Sequence, residues 1–153
     1  MQRLELKIPP LLLVAISALV MWIVSRTGTS MTFAVPARLV VAGVLAAGGV
    51  AVALAGGVAF FRAHTTVDPT HPGATTRVVA SSVYRYSRNP MYLGFLLVLA
   101  GWAWFLAHAV SALILPAFVV YMNRFQIVPE ERILSGKFGR DYEEYLRAVR
   151  RWL

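Results

Sequence analysis

The chain alternates between long stretches without charge and shorter stretches that carry nearly all of its polar residues. Residues 8–25, 39–61 and 89–123 contain no Lys, Arg, Asp or Glu. The first two stretches are 18 and 23 residues long, close to the roughly 20 apolar residues that cross a bilayer as a helix. The third has 35 residues, and at 1.5 Å per residue one helix of that length would measure about 52 Å, which exceeds a hydrocarbon core of about 30 Å. We therefore predict a helical hairpin with its turn near 107–109.

This pattern predicts one all-α domain, a polytopic integral membrane protein with about four transmembrane helices. The overall composition agrees, because 58% hydrophobic residues, 14% charged residues and a mean hydropathy of +0.64 are too apolar for a soluble domain of this length. The first apolar run lacks a small-residue cleavage site before Arg26, so we interpret it as a retained span rather than a signal peptide. The predicted parts are spans at about 9–25, 38–61, 90–106 and 109–126, a loop at 62–89 and a tail at 127–153 that contains a helix.

The distribution of charge predicts the orientation of these spans. The net charge is +8, and basic residues beside apolar spans face anionic lipid and set topology, whereas nucleic-acid binding needs a basic patch on a soluble fold. The loop carries four arginines against one acid, Asp68, and the chain from Arg124 onward carries seven basic and five acidic residues. The turn near 107–109 has no lysine or arginine. We therefore expect membrane lipid and not nucleic acid as a partner, with the loop, the tail and the N-terminus in the cytoplasm.

Small residues in the second span predict close helix packing. Gly43, Ala47 and Ala51 fall four residues apart, a spacing that lets two helices approach closely. We favour packing within the chain over homodimerisation, and the sequence leaves the oligomeric state open between monomer and homodimer. No metal site is predicted, because the chain has no cysteine and its three histidines lack metal-ligand spacing.

Two polar segments lie next to predicted spans and are candidates for a binding site. Pro90 opens the third apolar run after Asn89, which suits a helix start with an asparagine cap, and such a start favours a carboxylate ligand. Pro129 followed by two glutamates resembles another helix start. The alternatives are an ordinary interfacial boundary with arginine and tyrosine anchors at the first, and a solvated helix end at the second. Tyr142 and Tyr145 lie three apart on one helical face, and Trp152 with its two preceding arginines resembles an anchor at the membrane interface.

These segments together resemble the isoprenylcysteine carboxyl methyltransferase family, which includes bacterial relatives and is similar to phospholipid N-methyltransferases. The resemblance covers roughly residues 60–153. It implies S-adenosylmethionine as cofactor on the cytoplasmic side, a fold unlike that of the soluble methyltransferases, a lipophilic acceptor that enters from the bilayer, and a place in the bacterial inner membrane. The residues that carry it are Arg88-Asn89-Pro90-Met91-Tyr92-Leu93-Gly94, then Glu130-Glu131-Arg132-x-Leu134, then Phe138-Gly139-x-x-Tyr142-x-x-Tyr145.

The resemblance also implies roles for individual residues. It implies catalytic roles for Arg124, Glu131 and Asn89. Asn89 stands where the eukaryotic enzymes have histidine, and Ser82 stands where relatives often have glycine. Relatives commonly have an arginine a few residues before the glutamate pair, and Arg124 is the arginine of this chain nearest to that position. The residues that it implies for cofactor binding are Val83, Tyr84, Arg88, Asn89, Pro90, Tyr92, Leu93, Gly94, Glu130 and Glu131.

The sequence therefore predicts an integral membrane, S-adenosylmethionine-dependent methyltransferase that acts on a lipophilic acceptor. The acceptor can be a prenylated cysteine carboxylate, a phospholipid amine, or a smaller lipophilic thiol or acid, so O-, N- and S-methylation remain open. The alternatives are a phospholipid amine N-methyltransferase and a non-catalytic membrane assembly protein. A transporter is disfavoured because none of the predicted spans contains an acidic residue.

Overall fold

The computed structural model describes residues 5–27, 34, 36–63 and 70–153, and every regular element in this part of the chain is helical. This confirms the predicted all-α class. Asp68 and His64, which belong to the predicted loop, lie outside the described residues. The elements are α1 (Pro10–Thr27), α2 (Arg38–Arg62), two 3-10 turns (Pro72–Ala74 and Ser82–Arg85), α3 (Pro90–Leu106), α4 (Ala109–Ala112), α5 (Ile114–Tyr121), a π-helical segment (Met122–Ile127), α6 (Val128–Phe138) and α7 (Arg140–Ala148).

Three helical stretches are long and apolar enough to cross a membrane. They are α1, α2 and the 30-residue stretch Ala109–Phe138, while α3 is an apolar helix of 17 residues. Many large apolar side chains on α1 and α2 point outward, Leu12 and Leu39 among them, as expected of helices that face lipid. The last stretch continues well past residue 126, where we expected the fourth span to end.

The turn between α3 and α4 lies at the predicted position. Ala107 adopts a left-handed conformation with φ 52°, which ends α3. His108 then caps α4, because its Nδ1 accepts a hydrogen bond from the Ser111 amide at 3.3 Å. The Ser111 hydroxyl donates to the Met21 carbonyl at 2.9 Å, so the turn is also tied to α1. All the polar contacts of this cluster lie at the end of the molecule away from the start of α3.

Helices α2 and α3 pack with their backbones in contact. A Cβ added at Gly49 would lie 2.5 Å from the Gly94 carbonyl oxygen, and a Cβ added at Gly94 would clash with the Gly49 carbonyl and lie 2.7 Å from the Ala53 amide. Packing within the chain is therefore present, but through a different face from the one predicted. A Cβ added at Gly43 would meet no atom of the described residues outside its own helix within 4 Å, and the predicted row Gly43, Ala47 and Ala51 is exposed.

The π-helical segment is explained by the proline that follows it. Pro129 has no N–H to donate to the Phe125 carbonyl four residues earlier, so that carbonyl needs another donor. The Leu6 amide supplies it at 3.0 Å, which fixes the N-terminal segment across this bend. The helical path runs without interruption from α5 through the π-helical segment into α6. As predicted, an α-helix begins at this proline: α6 starts at Val128 and has Pro129 and both glutamates in its first turn. It follows the π-helical segment directly and does not start from a loop.

The contact between α2 and α3 gives a direct stability prediction. Gly94→Ala places a methyl group against backbone atoms that cannot move independently, and overpacking of this kind costs about 1–3 kcal/mol. We expect the midpoint of thermal unfolding in detergent to fall by several degrees. Gly48→Ala is the control, because a Cβ there meets nothing within 4 Å, and it is expected to leave the midpoint unchanged or slightly higher. Equal midpoints for the two variants would contradict this account of the packing.

Candidate functional site

A cavity of about 450 Å³ lies where the start of α3 meets α6, α7 and the start of α1. This volume falls in the usual range of small-molecule sites, about 300–1,000 Å³. Its lining is mostly apolar but includes charged and polar side chains, so the cavity suits a ligand with both characters. Its lining residues are Pro9, Pro10, Leu11, Phe60, Thr70, Pro72, Thr75, Tyr84, Arg88, Asn89, Met91, Tyr92, Phe95, Glu130, Glu131, Leu134 and Tyr142.

The first polar group in this cavity is the carboxylate of Glu130. The Tyr92 hydroxyl donates to its Oε1 at 2.5 Å, and the Gln126 Nε2 donates to the same oxygen at 2.5 Å. Tyr92 and Gln126 are both buried, and the carboxylate is partly buried. Two donors thus hold one oxygen of Glu130, which fixes the orientation of the carboxylate toward the cavity.

The second polar group is the carboxylate of Glu131, which lies between two arginines. Arg151 donates two hydrogen bonds to it, from Nε to Oε1 at 3.2 Å and from an Nη nitrogen to Oε2 at 2.7 Å. Arg88 approaches Oε1 through one Nη nitrogen at 3.2 Å. The Arg88 Nε is buried and has no hydrogen-bond partner among the described residues. A buried donor without a partner is rare in proteins, and it belongs here to a residue that lines the cavity.

The C-terminal segment 149–153 folds back over the start of α3. The Arg150 carbonyl accepts from the Arg88 amide at 3.0 Å, and the Arg151 carbonyl accepts from the Asn89 side-chain amide at 3.0 Å. The Trp152 indole donates to the Asn123 side-chain oxygen at 3.0 Å. Asn89 therefore occupies the predicted cap position, but its side chain binds the segment instead of capping α3. The Trp152 indole thus has a partner within the protein, and its place at the membrane interface stays a prediction.

Two tyrosines, Tyr84 from the second 3-10 turn and Tyr142 from α7, line the cavity, and Tyr145 contacts both. Tyr142 and Tyr145 lie on one face of α7, as predicted, and both are buried. The Tyr145 hydroxyl donates to the Tyr84 carbonyl at 2.9 Å. Burial raises the pKa of all three tyrosines, and the negative charges of Glu131 and Glu130 add to the rise for Tyr142. Their hydroxyls therefore stay protonated and can donate hydrogen bonds at neutral pH.

The structure brings six of the residues proposed for cofactor binding to this cavity. Four others do not line it. Val83 packs against a separate apolar cluster, and Gly94 packs against α2. Pro90 is buried at the start of α3, and Leu93 lies on the first turn of the same helix. The six residues that line the cavity are Tyr84, Arg88, Asn89, Tyr92, Glu130 and Glu131.

The structure does not bring Arg124, predicted as catalytic, into the cavity. Its side chain is 43% exposed, and its guanidinium lies 2.9 Å from the Glu5 carboxylate. Arg132 lies 3.4 Å from the same carboxylate. The hydrogen bond from Arg124 lowers the pKa of Glu5. Arg124 therefore binds the N-terminal segment to the π-helical segment and does not line the cavity with the glutamate pair, and its catalytic role stays a prediction.

Sequence reasoning missed two contributors to the site, Arg151 and Gln126. Gln126 has a visible signal, because it precedes Glu130 by four residues and therefore faces it on one helical side. Arg151 has none, because it lies 20 residues beyond Glu131 and reaches it only through the fold of segment 149–153.

Comparison with known proteins identifies what the chain is similar to. A family model described as phospholipid methyltransferase matches residues 37–141. An uncharacterised protein of Haemophilus influenzae is 43% identical over 63 residues, which are 41% of this chain and all of that protein. No solved structure matches.

Two plant proteins that carry an activity in their names also match. A probable protein-S-isoprenylcysteine O-methyltransferase of Oryza sativa subsp. japonica is 35% identical over 91 residues, 58% of this chain and 46% of the rice protein. Protein-S-isoprenylcysteine O-methyltransferase B of Arabidopsis thaliana is 38% identical over 76 residues, 48% of this chain and 37% of the plant protein. The chain thus spans less than half the length of these plant relatives. These matches confirm the resemblance that the motifs indicate.

The hydrogen bonds of Glu130 make a prediction about stability. Tyr92→Phe removes one of its two donors while it keeps the ring, and the loss of a buried hydrogen bond to a charged group costs about 1.5–3 kcal/mol. We expect a lower midpoint of thermal unfolding in detergent. Tyr86→Phe is the control, because Tyr86 is 70% exposed, and it is expected to leave the midpoint unchanged. An unchanged midpoint for Tyr92→Phe would mean that this bond does not stabilise the fold.

Proposed function

Because the chain belongs to the phospholipid methyltransferase family, we propose that it is an integral membrane methyltransferase. In this proposal it uses S-adenosylmethionine to methylate a lipophilic acceptor at the cytoplasmic face. The observation that carries the proposal is the single cavity in which Arg88, Asn89 and Tyr92 meet Glu130 and Glu131. The Tyr92–Glu130 hydrogen bond joins residues that are 38 positions apart in the chain.

The groups in the cavity fit the functional groups of S-adenosylmethionine. The buried, unpartnered Nε of Arg88 can donate to the carboxylate of the cofactor, since arginine binds carboxylates strongly. Glu131 lies beside it and can accept from the amino group. Glu130, with one oxygen held by two donors, is placed to accept from a ribose hydroxyl. Each polar end of the cofactor thus has a partner of complementary chemistry.

The apolar lining suits the remaining parts of the ligands. Tyr84, Phe60 and Tyr142 present aromatic surface to the cavity, which suits a flat base. Leu11, at the start of α1, is 68% exposed and also lines the cavity. A lipophilic acceptor that lies in the bilayer can therefore approach from the side of α1, with its reactive group toward the glutamates.

Methyl transfer requires the protein to position the donor and the acceptor more than it requires acid–base catalysis. When bound, S-adenosylmethionine supplies a methyl group on a positively charged sulfur, and the transfer is an in-line displacement in which that charge is lost. Arg88 and the two glutamates would hold the donor at one end, and the apolar wall would exclude water and hold the acceptor at the other. Glu131 and Asn89 keep their proposed roles in the site, as residues that orient the ligands. Arg124 has no role in this proposal, because it lies outside the cavity and pairs with Glu5.

The orientation in the membrane is also part of the proposal. The cavity lies at the end of the molecule where the arginines of the predicted loop and of the tail lie, and the positive-inside rule places such an end in the cytoplasm. We propose four spans, with both termini cytoplasmic, in a bacterial inner membrane.

Binding of the cofactor tests the proposal directly. We expect calorimetry in detergent to show binding of S-adenosylmethionine, and Glu131→Ala and Tyr92→Ala each to weaken it about tenfold or more, since a hydrogen bond to a charged group contributes about 1.5–3 kcal/mol. His108→Ala is the control. His108 is buried in a polar cluster at the far end of α3, so this variant disturbs a buried contact without touching the cavity. Absence of binding by folded wild-type protein would refute the enzyme and favour an assembly protein, and equal losses in all three variants would refute the site.

The acceptor requires a separate experiment. The family is described by phospholipid methylation, whereas the names of the plant relatives specify O-methylation of isoprenylcysteine. We expect overproduction of the protein to raise the amount of one methylated lipophilic compound in a mass-spectrometric comparison of membrane extracts. Glu131→Ala, at equal protein level, is expected to abolish that rise. A methylated phospholipid amine would support the N-methyltransferase alternative, and no difference between the two extracts would count against a lipid-soluble acceptor.

A further inference from the structure

Glu131 lies between two guanidinium groups, so this cluster carries one positive charge more than it carries negative charge. Arg151 binds both oxygens of the carboxylate, at 3.2 and 2.7 Å, in the two-point geometry that arginine prefers. Arg88 reaches only Oε1, through one nitrogen at 3.2 Å. The carboxylate is thus oriented by Arg151, and Arg88 is left with donor capacity to spare.

The unmatched charge belongs to the arginine that faces the cavity. The Arg88 side chain is 13% exposed and lines the cavity, while the Arg151 side chain is 35% exposed and lies behind Glu131. Glu130, the other acid in the cavity, has its Oε1 held by Tyr92 and Gln126. Arg88, which lines the cavity and makes only one contact with Glu131, is therefore the arginine from which an anionic group in the cavity would receive hydrogen bonds.

The segment that carries Arg151 is held in place by contacts other than its guanidinium. The Arg151 carbonyl accepts from the Asn89 side chain at 3.0 Å, and the neighbouring Trp152 indole bonds to Asn123 at 3.0 Å. A change confined to the Arg151 side chain therefore removes its hold on Glu131 and leaves the anchored backbone of segment 149–153 in place.

We propose that Arg151 is a positioning residue for the cofactor site, a role that rests on the proposed function. By holding Glu131 at two points, it keeps that carboxylate from forming the same two-point pair with Arg88. Without Arg151, Glu131 and Arg88 would pair with each other, because a two-point arginine–carboxylate pair is stronger than the single contact they now make. Both groups that face the amino-acid end of the ligand would then be withdrawn from it.

The test compares two ligands that differ only at that end. S-adenosylhomocysteine carries the carboxylate and amino group, whereas 5′-methylthioadenosine carries the same adenosine and sulfur without either. We expect Arg151→Ala to weaken the binding of S-adenosylhomocysteine about tenfold or more, since hydrogen bonds to charged groups contribute about 1.5–3 kcal/mol. Binding of 5′-methylthioadenosine is expected to change less than about twofold, because it touches neither arginine nor Glu131. Both dissociation constants are measured by calorimetry on the full chain in detergent.

Matched variants separate positioning from general damage. Arg147→Ala removes the same charge from an exposed position in the last turn of α7, and we expect it to leave both dissociation constants unchanged. Arg151→Gln keeps most of the side chain without its charge and serves as the second variant if Arg151→Ala does not fold. Arg151→Lys restores the charge at one point only, so partial recovery of S-adenosylhomocysteine binding is expected.

The outcomes distinguish this inference from the proposed function. A wild-type protein that binds both ligands, with Arg151 variants that bind S-adenosylhomocysteine as tightly, would overturn the role of Arg151 and leave the proposed function intact. Parallel losses for both ligands would also overturn it, because they indicate structural damage. A folded wild-type protein that binds neither ligand would overturn the proposed function and this inference with it.

Discussion

A carboxylate that is withdrawn from water needs hydrogen-bond donors. In this protein the donors to Glu131 come from two segments that are far apart in the chain. Arg88 precedes α3, Arg151 follows α7, and Glu131 itself lies on α6 between them. Removal of Glu131 would leave two guanidinium charges uncompensated in a partly buried place, which is far more costly than the loss of a surface ion pair. The cluster therefore ties three separate parts of the chain to one point, and the cavity beside it takes its shape from that constraint.

The helical packing brings these parts within reach of each other. Contact between the backbones of α2 and α3 depends on Gly49 and Gly94, and it sets the position of α3 and thus of Arg88 before it. The turn at Ala107 then returns the chain, so that α5, the π-helical segment and α6 run back to the start of α3. The short connection explains why two polar motifs about 40 residues apart share one cavity. Glu130 and Tyr92 are the direct evidence of that return, since their hydrogen bond joins α6 to α3.

The features predicted correctly from the sequence are those that depend on local rules. The all-α class and the hairpin turn follow from the spacing of charge-free stretches, and the shared face of Tyr142 and Tyr145 follows from helical periodicity. The position of Arg124 outside the cavity could not be predicted from the sequence, for a physical reason. Pro129 has no N–H to donate to the Phe125 carbonyl, which pairs with the Leu6 amide instead. The π-helical turn then changes which residues face the cavity. The role of Arg151 could not be predicted from the sequence, because its contact with Glu131 depends on how segment 149–153 folds back over the start of α3.

The π-helical segment also explains how one helical path can serve two environments. Its first and last residues, Met122 and Ile127, are almost fully buried in the core, while Gln126 within it donates to Glu130. A π-helical turn inserts one residue into the helix and so rotates everything after it relative to everything before it. The same rotation leaves Arg124 outside, where the N-terminal segment binds it through Glu5. The π-helical segment thus separates the basic residue that anchors the N-terminal segment from the acidic residues that face the cavity, although only five residues lie between Arg124 and Glu130 in the chain.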